Sequence, residues 1–353
     1  MKKYIASISV LFMTAFLAGC SSGSVPEDPS NPAVPVKKPS SFLKSVDGGR
    51  TWEFKSDVSG KINMDAVDVL SMSINPYNGQ NIFVGTLKNG ILKTENGGEN
   101  WVGVGLPVEK VYGIANSYED GRIVYASGVL QGRGKIFKSL DGGTVWNEVY
   151  TAPSDGPLVI ALVIDRKNPN IILASTSDDQ MMKSYDAGVS WKNIYAFSEP
   201  VVKISVDSRN SNIIYASTQG GKLLLSRDGG SSFEESKSDS MRSGGASLVL
   251  ADPNNGGWVY AGGRAGFFRS RNEGGSWEEL KTLGNPDSFP VKALAVSPGN
   301  SRELIYGAGQ AVYKSVDDGG SWMPFQLDTA KNISTIMYDA TDPNILYLGL
   351  RKK

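Results

Sequence analysis

Seven copies of an octapeptide place a short acid or amide and an aromatic ring at a fixed spacing. Its fullest form is Ser-x-Asp-x-Gly-x-Ser/Thr-Trp, as in residues 184–191. The copies begin at Ser45, Thr94, Ser139, Ser184, Ser226, Ser270 and Ser315. Each copy alone resembles a calcium loop or a carboxylate-bearing site. One acidic position per copy falls far short of the roughly six to eight oxygens that Ca²⁺ takes, so we predict no metal site.

Other chemistries are limited by composition. The 353-residue chain contains no His, which is the commonest general base and a frequent metal ligand. Ser-His-Asp triads, Cys-His pairs and His-ligated zinc are therefore excluded. The formal net charge is zero, with 36 basic and 36 acidic residues, so no basic excess indicates nucleic acid. We predict no catalytic residue, no cofactor and no nucleic-acid partner.

Cys20 is the only Cys of the chain, and it follows a short apolar run that begins after two Lys residues. Such a run is typical of a secretory signal and is too short to span a bilayer comfortably. Residues 17–20, Leu-Ala-Gly-Cys, resemble the bacterial lipobox, in which the Cys is lipidated and becomes the mature N-terminus. We predict a signal peptide at 1–19, followed by the lipidated Cys and a disordered Ser/Pro-rich tether at 20–41. A chance Cys in a cleaved signal, or an uncleaved anchor, is the alternative.

The residues around Cys20 also predict the cellular location of the protein. Ser21, rather than Asp, comes after the Cys. By resemblance to Gram-negative lipoproteins, this favours the outer membrane, if the host has one, over retention at the inner membrane. We therefore expect a protein of the bacterial cell envelope that is attached to the membrane by an N-terminal lipid.

The octapeptides begin 42 to 49 residues apart, a period that indicates repeated supersecondary units. In one unit the pattern predicts four short antiparallel strands, at 201–206, 213–217, 222–226 and 232–236, separated by turn residues. The first of them is largely apolar, and we expect it to be buried on both faces. Four strands per repeat of this length are typical of a propeller blade.

The two ends of residues 42–353 complete one another. Residues 42–54 contain only a third and a fourth strand, and residues 333–350 contain only a first and a second. Together they make one blade, which with six complete units predicts an all-β, seven-bladed propeller, most simply a monomer. Pairing of the N-terminal with the C-terminal strands would close the ring and leave no free blade edge.

Within this frame the octapeptide is predicted to be a turn between the third and fourth strands. Its third-position Asp or Asn would accept hydrogen bonds from its own turn, its fifth-position Gly would adopt positive φ, and its aromatic residue would pack between blades. The octapeptides and the turns between first and second strands then share one face of the ring, the octapeptide face. The loops between second and third strands, and between blades, share the other, the variable-loop face.

Because the loops of the variable-loop face differ from blade to blade, we expect the binding site there. The candidate partner-binding residues are Lys88, Arg133, Lys135, Asp178, Asp179, Lys222, Arg264 and Gln310. Gly residues flank Arg133 and Arg264, and a guanidinium so placed can reach a carboxylate of a ligand or partner. The alternative is that these are ordinary solvated loop charges. The longer inter-blade loops at 55–66 and 236–246 are further candidate contacts.

The octapeptides resemble those of the Asp-box, or BNR-repeat, propellers over residues 42–350. That family includes sialidases, xyloglucanases, the sortilin ectodomain and the photosystem II assembly/stability factors, so the resemblance implies the fold and leaves the function open. The Arg-Ile-Pro type of motif found in sialidases is absent, and six of the seven Trp residues lie inside octapeptides, which leaves few aromatic residues for a glycan groove. The assembly factors, often lipid-anchored and non-catalytic, are nearest in architecture.

We therefore expect a non-enzymatic, lipid-anchored scaffold or assembly factor that binds an envelope protein through the variable-loop face. The alternatives are a carbohydrate-binding surface lipoprotein and a diverged glycoside hydrolase of the sialidase type.

Overall fold

The alternation of short apolar strands with Gly- and Asp-rich turns produces seven antiparallel sheets of four strands each. The computed structural model describes residues 40–153, 156–236 and 245–352. The predicted signal peptide, Cys20 and nearly all of the predicted tether lie outside the described residues. Within those residues, no helix has the length and apolar character needed to cross a membrane.

The strands follow the order expected for propeller blades. The described residues begin with β1 (Phe42–Ser45), β2 (Glu53–Phe54) and a 3-10 turn (Met64–Ala66). Blade 1 contains β3 (Val69–Asn75), β4 (Asn78–Thr86), β5 (Ile91–Thr94) and β6 (Val102–Gly103). Blade 2 contains β7 (Glu109–Asn116), β8 (Val124–Leu130), β9 (Arg133–Ser139) and β10 (Asn147–Thr151). Blade 3 contains β11 (Val159–Ile164), β12 (Ile172–Thr176), β13 (Gln180–Ser184) and β14 (Lys192–Ala196).

The same order continues to the C-terminus. Blade 4 contains β15 (Val201–Val206), β16 (Ile214–Thr218), β17 (Leu223–Ser226) and β18 (Glu234–Glu235). Blade 5 contains β19 (Ala246–Ala251), β20 (Val259–Gly263), β21 (Gly266–Ser270) and β22 (Glu278–Glu279). Blade 6 contains β23 (Val291–Ser297), β24 (Asn300–Ala308), β25 (Ala311–Ser315) and β26 (Met323–Gln326). The chain ends with β27 (Asn332–Tyr338) and β28 (Leu346–Arg351).

Blade 7 is built from both ends of the chain, in the order β2-β1-β28-β27, which confirms the predicted closure. Leu43 of β1 faces Leu348 of β28 in the antiparallel ladder. The buried ammonium of Lys331, just before β27, donates to Ser41 Oγ at 2.6 Å on the N-terminal side of the seam. Strand pairing and this contact together hold both chain ends in the ring, so no blade edge is left free at the seam.

The core lies between the blades, where the aromatic residue of each octapeptide meets the preceding sheet. The Trp101 ring lies edge-on to Phe42 of blade 7, with centroids 4.8 Å apart. Trp52 of blade 7 packs in one cluster with Ile305 of blade 6. These contacts confirm the predicted inter-blade role of the aromatic position and bury large apolar areas at successive interfaces.

The inner strands differ from the expectation that they are buried on both faces. In β15, Lys203 is exposed and Ile204 is only half-buried. The pairing of β15 with β16 shifts by one residue between Val201 and Lys203, and five other inner strands have the same shift at the same place. The expectation was wrong because an inner strand is the sheet edge nearest the ring axis, and it lines an open channel.

Candidate functional site

The octapeptides are closed hydrogen-bonded turns. In blade 3, Ser184 Oγ donates to Asp186 Oδ1 and accepts from the Gly188 N–H, both at 2.8 Å. The Ser190 N–H donates to the same Asp186 oxygen at 2.8 Å. Hydrogen bonds from the Ser190 side chain and backbone, and then from Ser184, lower the pKa of Asp186 to about 2. The carboxylate is used by its own turn, which identifies the octapeptide as a structural device.

Other octapeptides are also held by hydrogen bonds, here from their backbone to a neighbouring turn. Gly48 N–H donates to the Asn344 carbonyl at 2.8 Å, and Gly142 N–H donates to the Arg122 carbonyl at 2.9 Å. Each bond links an octapeptide to the turn between the first two strands of its own blade, which confirms that these two kinds of turn share a face. Within the described ranges, no three of His, Cys, Asp and Glu are grouped so as to hold a metal ion.

On the variable-loop face, several of the candidate residues are occupied by intramolecular contacts. Arg133 Nε donates to the Ala152 carbonyl at 2.8 Å. Lys135 is buried and its Nζ lies 2.6 Å from Glu148 Oε2. Lys222 Nζ lies 3.4 Å from Glu199 Oε1. These three cations are already paired, so each would have to exchange an internal partner in order to bind an external one.

The remaining candidate residues differ in whether their side chains already have an intramolecular partner. Gln310 Nε2 lies 3.5 Å from the Ala330 carbonyl. Asp178 is exposed and accepts from Thr176 Oγ1 at 2.5 Å, while Asp179 is half-buried at a turn position with φ of 69°. Lys88 and Arg264 are exposed, and neither makes an ion pair or a side-chain hydrogen bond with any part of the chain that the structure describes. The eight candidates come from different blades, and the contacts of their side chains do not join them into one cluster.

The most distinctive feature of this face is the mouth of the central channel. The inner strands β11, β15, β19, β23 and β27 line a cavity of about 440 Å³ along the ring axis. Its middle is apolar, with side chains such as Leu250, Leu294 and Ile336. Lys203 and Lys292 line it near the points where their strands leave the variable-loop face. A cavity of this size holds a few side chains of a ligand or partner.

Two guanidinium groups lie close to these two Lys residues. Arg351 is the last residue of β28 and Arg264 lies between β20 and β21, so both are on the variable-loop face. Desolvation by the surrounding channel walls, and then the charge of Arg351, lower the pKa of Lys203 although its side chain is still reached by water. Desolvation, and then the charges of Arg351 and Arg264, lower the pKa of Lys292. Lys203, Lys292, Arg264 and Arg351 are named here the channel-mouth cations.

The channel-mouth cations form no ion pair with any acid that the structure describes. All four are exposed to water, and none makes an ion pair or a side-chain hydrogen bond among the described residues. The described residues that line the cavity include no Asp or Glu. Asp68, the acid beside Arg351, accepts a hydrogen bond from the Lys352 N–H at 2.7 Å and makes no ion pair with the four cations. Their like charges repel one another, and a bound anionic group would relieve that repulsion.

The opposite end of the channel is crossed by a side chain. Arg166 Nη1 of blade 3 donates to the Pro253 carbonyl of blade 5 at 3.3 Å. Its guanidinium also lies over the ring of Tyr118, 4.8 Å from the centroid. The octapeptide end is therefore occupied by internal contacts, whereas the variable-loop end presents unpaired charge. Only the variable-loop end of the channel therefore offers unpaired charged groups to a ligand.

Sequence reasoning identified one of the four channel-mouth cations, Arg264, and missed Lys203, Lys292 and Arg351. The available signal was a Lys at the start of an otherwise apolar inner strand, once in 201–206 and once in 291–296. A Lys inside a strand expected to be buried on both faces needs either a partner or an opening, and the structure supplies the opening.

No protein-family model matches the chain, and no curated protein matches it. Among solved structures, the chain is similar to the GH74 xyloglucanase from Xanthomonas campestris, with a TM-score of 0.66 and 16% identity. That match covers 81% of this chain and 51% of the enzyme, so the chain spans about half of the enzyme's length.

The chain is also similar to a smaller protein, YCF48. It matches the structure of YCF48 bound to D1 peptide with a TM-score of 0.60 and 15% identity, over 80% of this chain and 93% of that one. It matches YCF48 from Cyanidioschyzon merolae with a TM-score of 0.58 and 15% identity, over 80% and 95%. At such identities the likeness shows the fold alone, and that fold is a seven-bladed β-propeller.

Proposed function

We propose that this protein is a lipid-anchored scaffold or assembly factor of the bacterial cell envelope that binds a protein partner through the variable-loop face. The observation that carries the proposal is the set of unpaired channel-mouth cations. An acidic segment or a chain-terminal carboxylate of the partner would neutralise them, and guanidinium groups suit such recognition because they bind carboxylates with two parallel hydrogen bonds.

The attachment to the membrane rests on the N-terminal sequence. Cys20 would carry the lipid after removal of residues 1–19, and residues 21–41 would tether the ring at the membrane surface. A flexible tether of this length has a root-mean-square span of roughly 25 Å, enough to let a monomeric ring reach a neighbouring envelope protein. The outer membrane is the favoured site if the host is Gram-negative.

A binding function suits the channel better than hydrolysis does. Glycoside hydrolysis uses a pair of placed carboxylates. The described lining of the channel instead presents the cations Lys203, Lys292 and Arg166, several hydroxyl groups and apolar side chains, and includes no Asp or Glu. YCF48, which the chain resembles in fold, has been solved with a peptide, so a propeller of this kind is compatible with peptide binding.

The test is affinity purification of the full chain, C-terminally tagged and with Cys20 intact, from native envelopes. The double variant Lys203→Met/Lys292→Met is compared with the wild type, and Arg50→Met on the octapeptide face is the matched control. We expect one envelope protein to co-purify with the wild type and with the control, and to fall at least tenfold in the double variant.

Two results would overturn the proposal. One is co-purification that the double variant leaves unchanged. The other is specific turnover of a polysaccharide by the wild type that is lost on Asp178→Ala or Asp179→Ala, which would make the protein a hydrolase. The anchor is tested separately by fractionation, since Cys20→Ala should move the protein from the membrane to the soluble fraction.

A further inference from the structure

A second cavity opens at the rim of the ring between blades 3 and 4. It has a volume of about 400 Å³, and we name it the rim pocket. Its aromatic wall is formed by Tyr195, Phe197 and Phe233, whose ring centroids are 4.8 to 5.0 Å apart. All three rings are only half-buried. Aromatic surface that is partly exposed beside a cavity of this size is typical of a pocket for a large apolar side chain.

At the rim pocket, two residues differ from those at the equivalent positions of the interface between blades 2 and 3. Phe233 is the aromatic residue of blade 4's octapeptide, and the other six octapeptides have Trp there. By strand register, Tyr195 corresponds to Tyr150 of blade 2. Phe197, two residues further on, corresponds to the fully buried Ala152. A smaller octapeptide ring and an added Phe therefore distinguish this interface.

The inner lip of the rim pocket is polar and lies on blade 4. Thr218 and Lys222 line the pocket, and Thr218 faces Val201 at the start of the inner strand β15. Lys203 of the channel mouth lies two residues further along that strand. The end of blade 4 therefore connects the channel mouth directly to the rim pocket, with Lys222 between them.

The spacing between the two cavities suits an extended peptide. Four strands set about 4.8 Å apart place the inner and outer strands of blade 4 roughly 14 Å from each other. An extended chain rises about 3.3 Å per residue, so about four residues cover that distance. A peptide with its acid at the channel mouth would place a side chain in the rim pocket about four residues away.

The charges along this path fix the direction of the peptide. The channel mouth is cationic, whereas Glu235 on the outer side of the rim pocket is exposed and has no ion pair among the described residues. Glu199 is already paired with Lys222. An acid is therefore favoured at the channel end, and a basic residue is favoured next to the apolar side chain at the rim end.

We propose that the partner is bound as an extended peptide over the variable-loop end of blade 4. Its acidic group lies among the channel-mouth cations, and an aromatic side chain about four residues away lies in the rim pocket. This inference rests on the proposed function and adds to it a second subsite and a recognition pattern of acid, spacer, aromatic residue and base.

The test uses three fluorescein-labelled peptides and measures binding to the full-length chain by fluorescence anisotropy. The first is Lys-Trp-Gly-Ser-Gly-Asp-Glu with a free carboxyl terminus. The second has Ala in place of Trp, and the third has the three-residue spacer cut to one Gly. We expect the first peptide to bind at least tenfold more tightly than either of the others.

Two variants examine the pocket itself. Phe233→Trp restores the residue found in the other six octapeptides and fills the pocket, and Phe197→Ala restores the residue found at the matching place in blade 2. Both are expected to fold, since each residue already occupies the equivalent position elsewhere in the ring. Both should reduce the affinity for the Trp peptide to that for the Ala peptide.

The outcomes separate this inference from the proposed function. Equal binding of the Trp and Ala peptides by the wild type, unchanged Trp selectivity in Phe233→Trp, or no binding of any peptide overturns the rim-pocket inference. If both peptides bind equally and Lys203→Met/Lys292→Met abolishes their binding, the channel mouth keeps its role and only the second subsite is lost. Failure of the proposed function is judged independently, by the co-purification experiment.

Discussion

Lys183 Nζ of blade 3 donates a hydrogen bond to the carbonyl oxygen of Gly229, the fourth residue of blade 4's octapeptide, at 2.8 Å. The same link recurs around the ring. Lys138 Nζ of blade 2 donates to the Ala187 carbonyl at 3.0 Å, and Arg269 Nη1 of blade 5 lies 3.3 Å from the carbonyl of Asp318. A cation on the third strand of one blade thus holds the octapeptide turn of the next blade.

Removing one of these links should weaken the ring. Lys183→Met leaves the Gly229 carbonyl without its cross-blade donor, and we expect the free energy of unfolding to fall by about 1–3 kcal/mol. Urea denaturation measures the change. The control is Leu225→Met, because Leu225 occupies the matching position in blade 4, has no such bond, and should cost less than about 1.5 kcal/mol. Equal losses in the two variants would contradict this role for Lys183.

Stability should fall in acid because of the octapeptide carboxylates. The pKa of Asp186 is about 2 in the fold against an ordinary 3.8, because its turn donates hydrogen bonds to the charged form. A depressed folded-state pKa contributes stability that is fully present above pH 3.8 and is lost as the pH falls towards 2. Asp317 has the same shift, to about 2, through Ser321 and then Ser315.

Substitution by Asn isolates this effect. Two octapeptides already have Asn at the third position, Asn96 and Asn272, so Asp186→Asn/Asp317→Asn is expected to fold. Its unfolding midpoint in urea should fall less steeply than that of the wild type between pH 4 and 2. Parallel pH profiles for the two proteins would show that these carboxylates do not carry the acid sensitivity.

The pairing of the two chain ends in blade 7 should determine the stability of the whole ring. Deleting residues 333–353 removes all of β27 except Asn332 and all of β28, which exposes the edge of β1 and removes part of the apolar cluster that contains Trp52. We expect cooperative thermal unfolding, followed by circular dichroism, to be lost or to shift to a much lower temperature. Removal of residues 352–353 alone serves as the control. An unchanged transition in the long truncation would disprove closure through the chain ends.

The channel-mouth Lys residues should titrate at lower pH than other Lys residues. Desolvation by the channel walls and then the charge of Arg351 lower the pKa of Lys203, and the same two causes act first on the pKa of Lys292. Reductive ¹³C-methylation with NMR detection measures each pKa. Arg351→Gln should raise both values towards the ordinary one, while Arg50→Gln on the octapeptide face should not. Ordinary values in the wild type would contradict the clustering of the cations.

The fold could be predicted from the sequence because its determinants are local and repeated. Each octapeptide fixes a turn through its own Asp and Gly, and seven copies fix the number of blades. The half-blades at 42–54 and 333–350 were recognisable as complementary, so pairing between the N-terminal and C-terminal strands could be expected. The structure adds the register, in which Leu43 faces Leu348 although 305 positions separate them. Even the bounds of β15, Val201–Val206, agree with the pattern.

The site could be predicted only in part, because it is assembled across the ring. Lys203, Arg264, Lys292 and Arg351 come from blades 4, 5, 6 and 7, and only the closed ring brings their charges together. The shifted pairing that precedes Lys203 leaves no mark in the residue pattern. The loop candidates Arg133 and Lys135 appear free in the sequence, whereas their partners Ala152 and Glu148 lie further along the chain.

The most direct test of the central claim is site-specific photocross-linking in living cells. A benzoylphenylalanine is placed at position 219, in the exposed turn between β16 and β17 on the variable-loop face, or, as the control, at position 50 on the octapeptide face of the full chain. We predict a cross-link to an envelope protein from position 219 and none from position 50, with the product lost in Lys203→Met/Lys292→Met. Cross-linking from position 50 alone, or a product from position 219 that the double variant leaves intact, would contradict binding through the channel mouth.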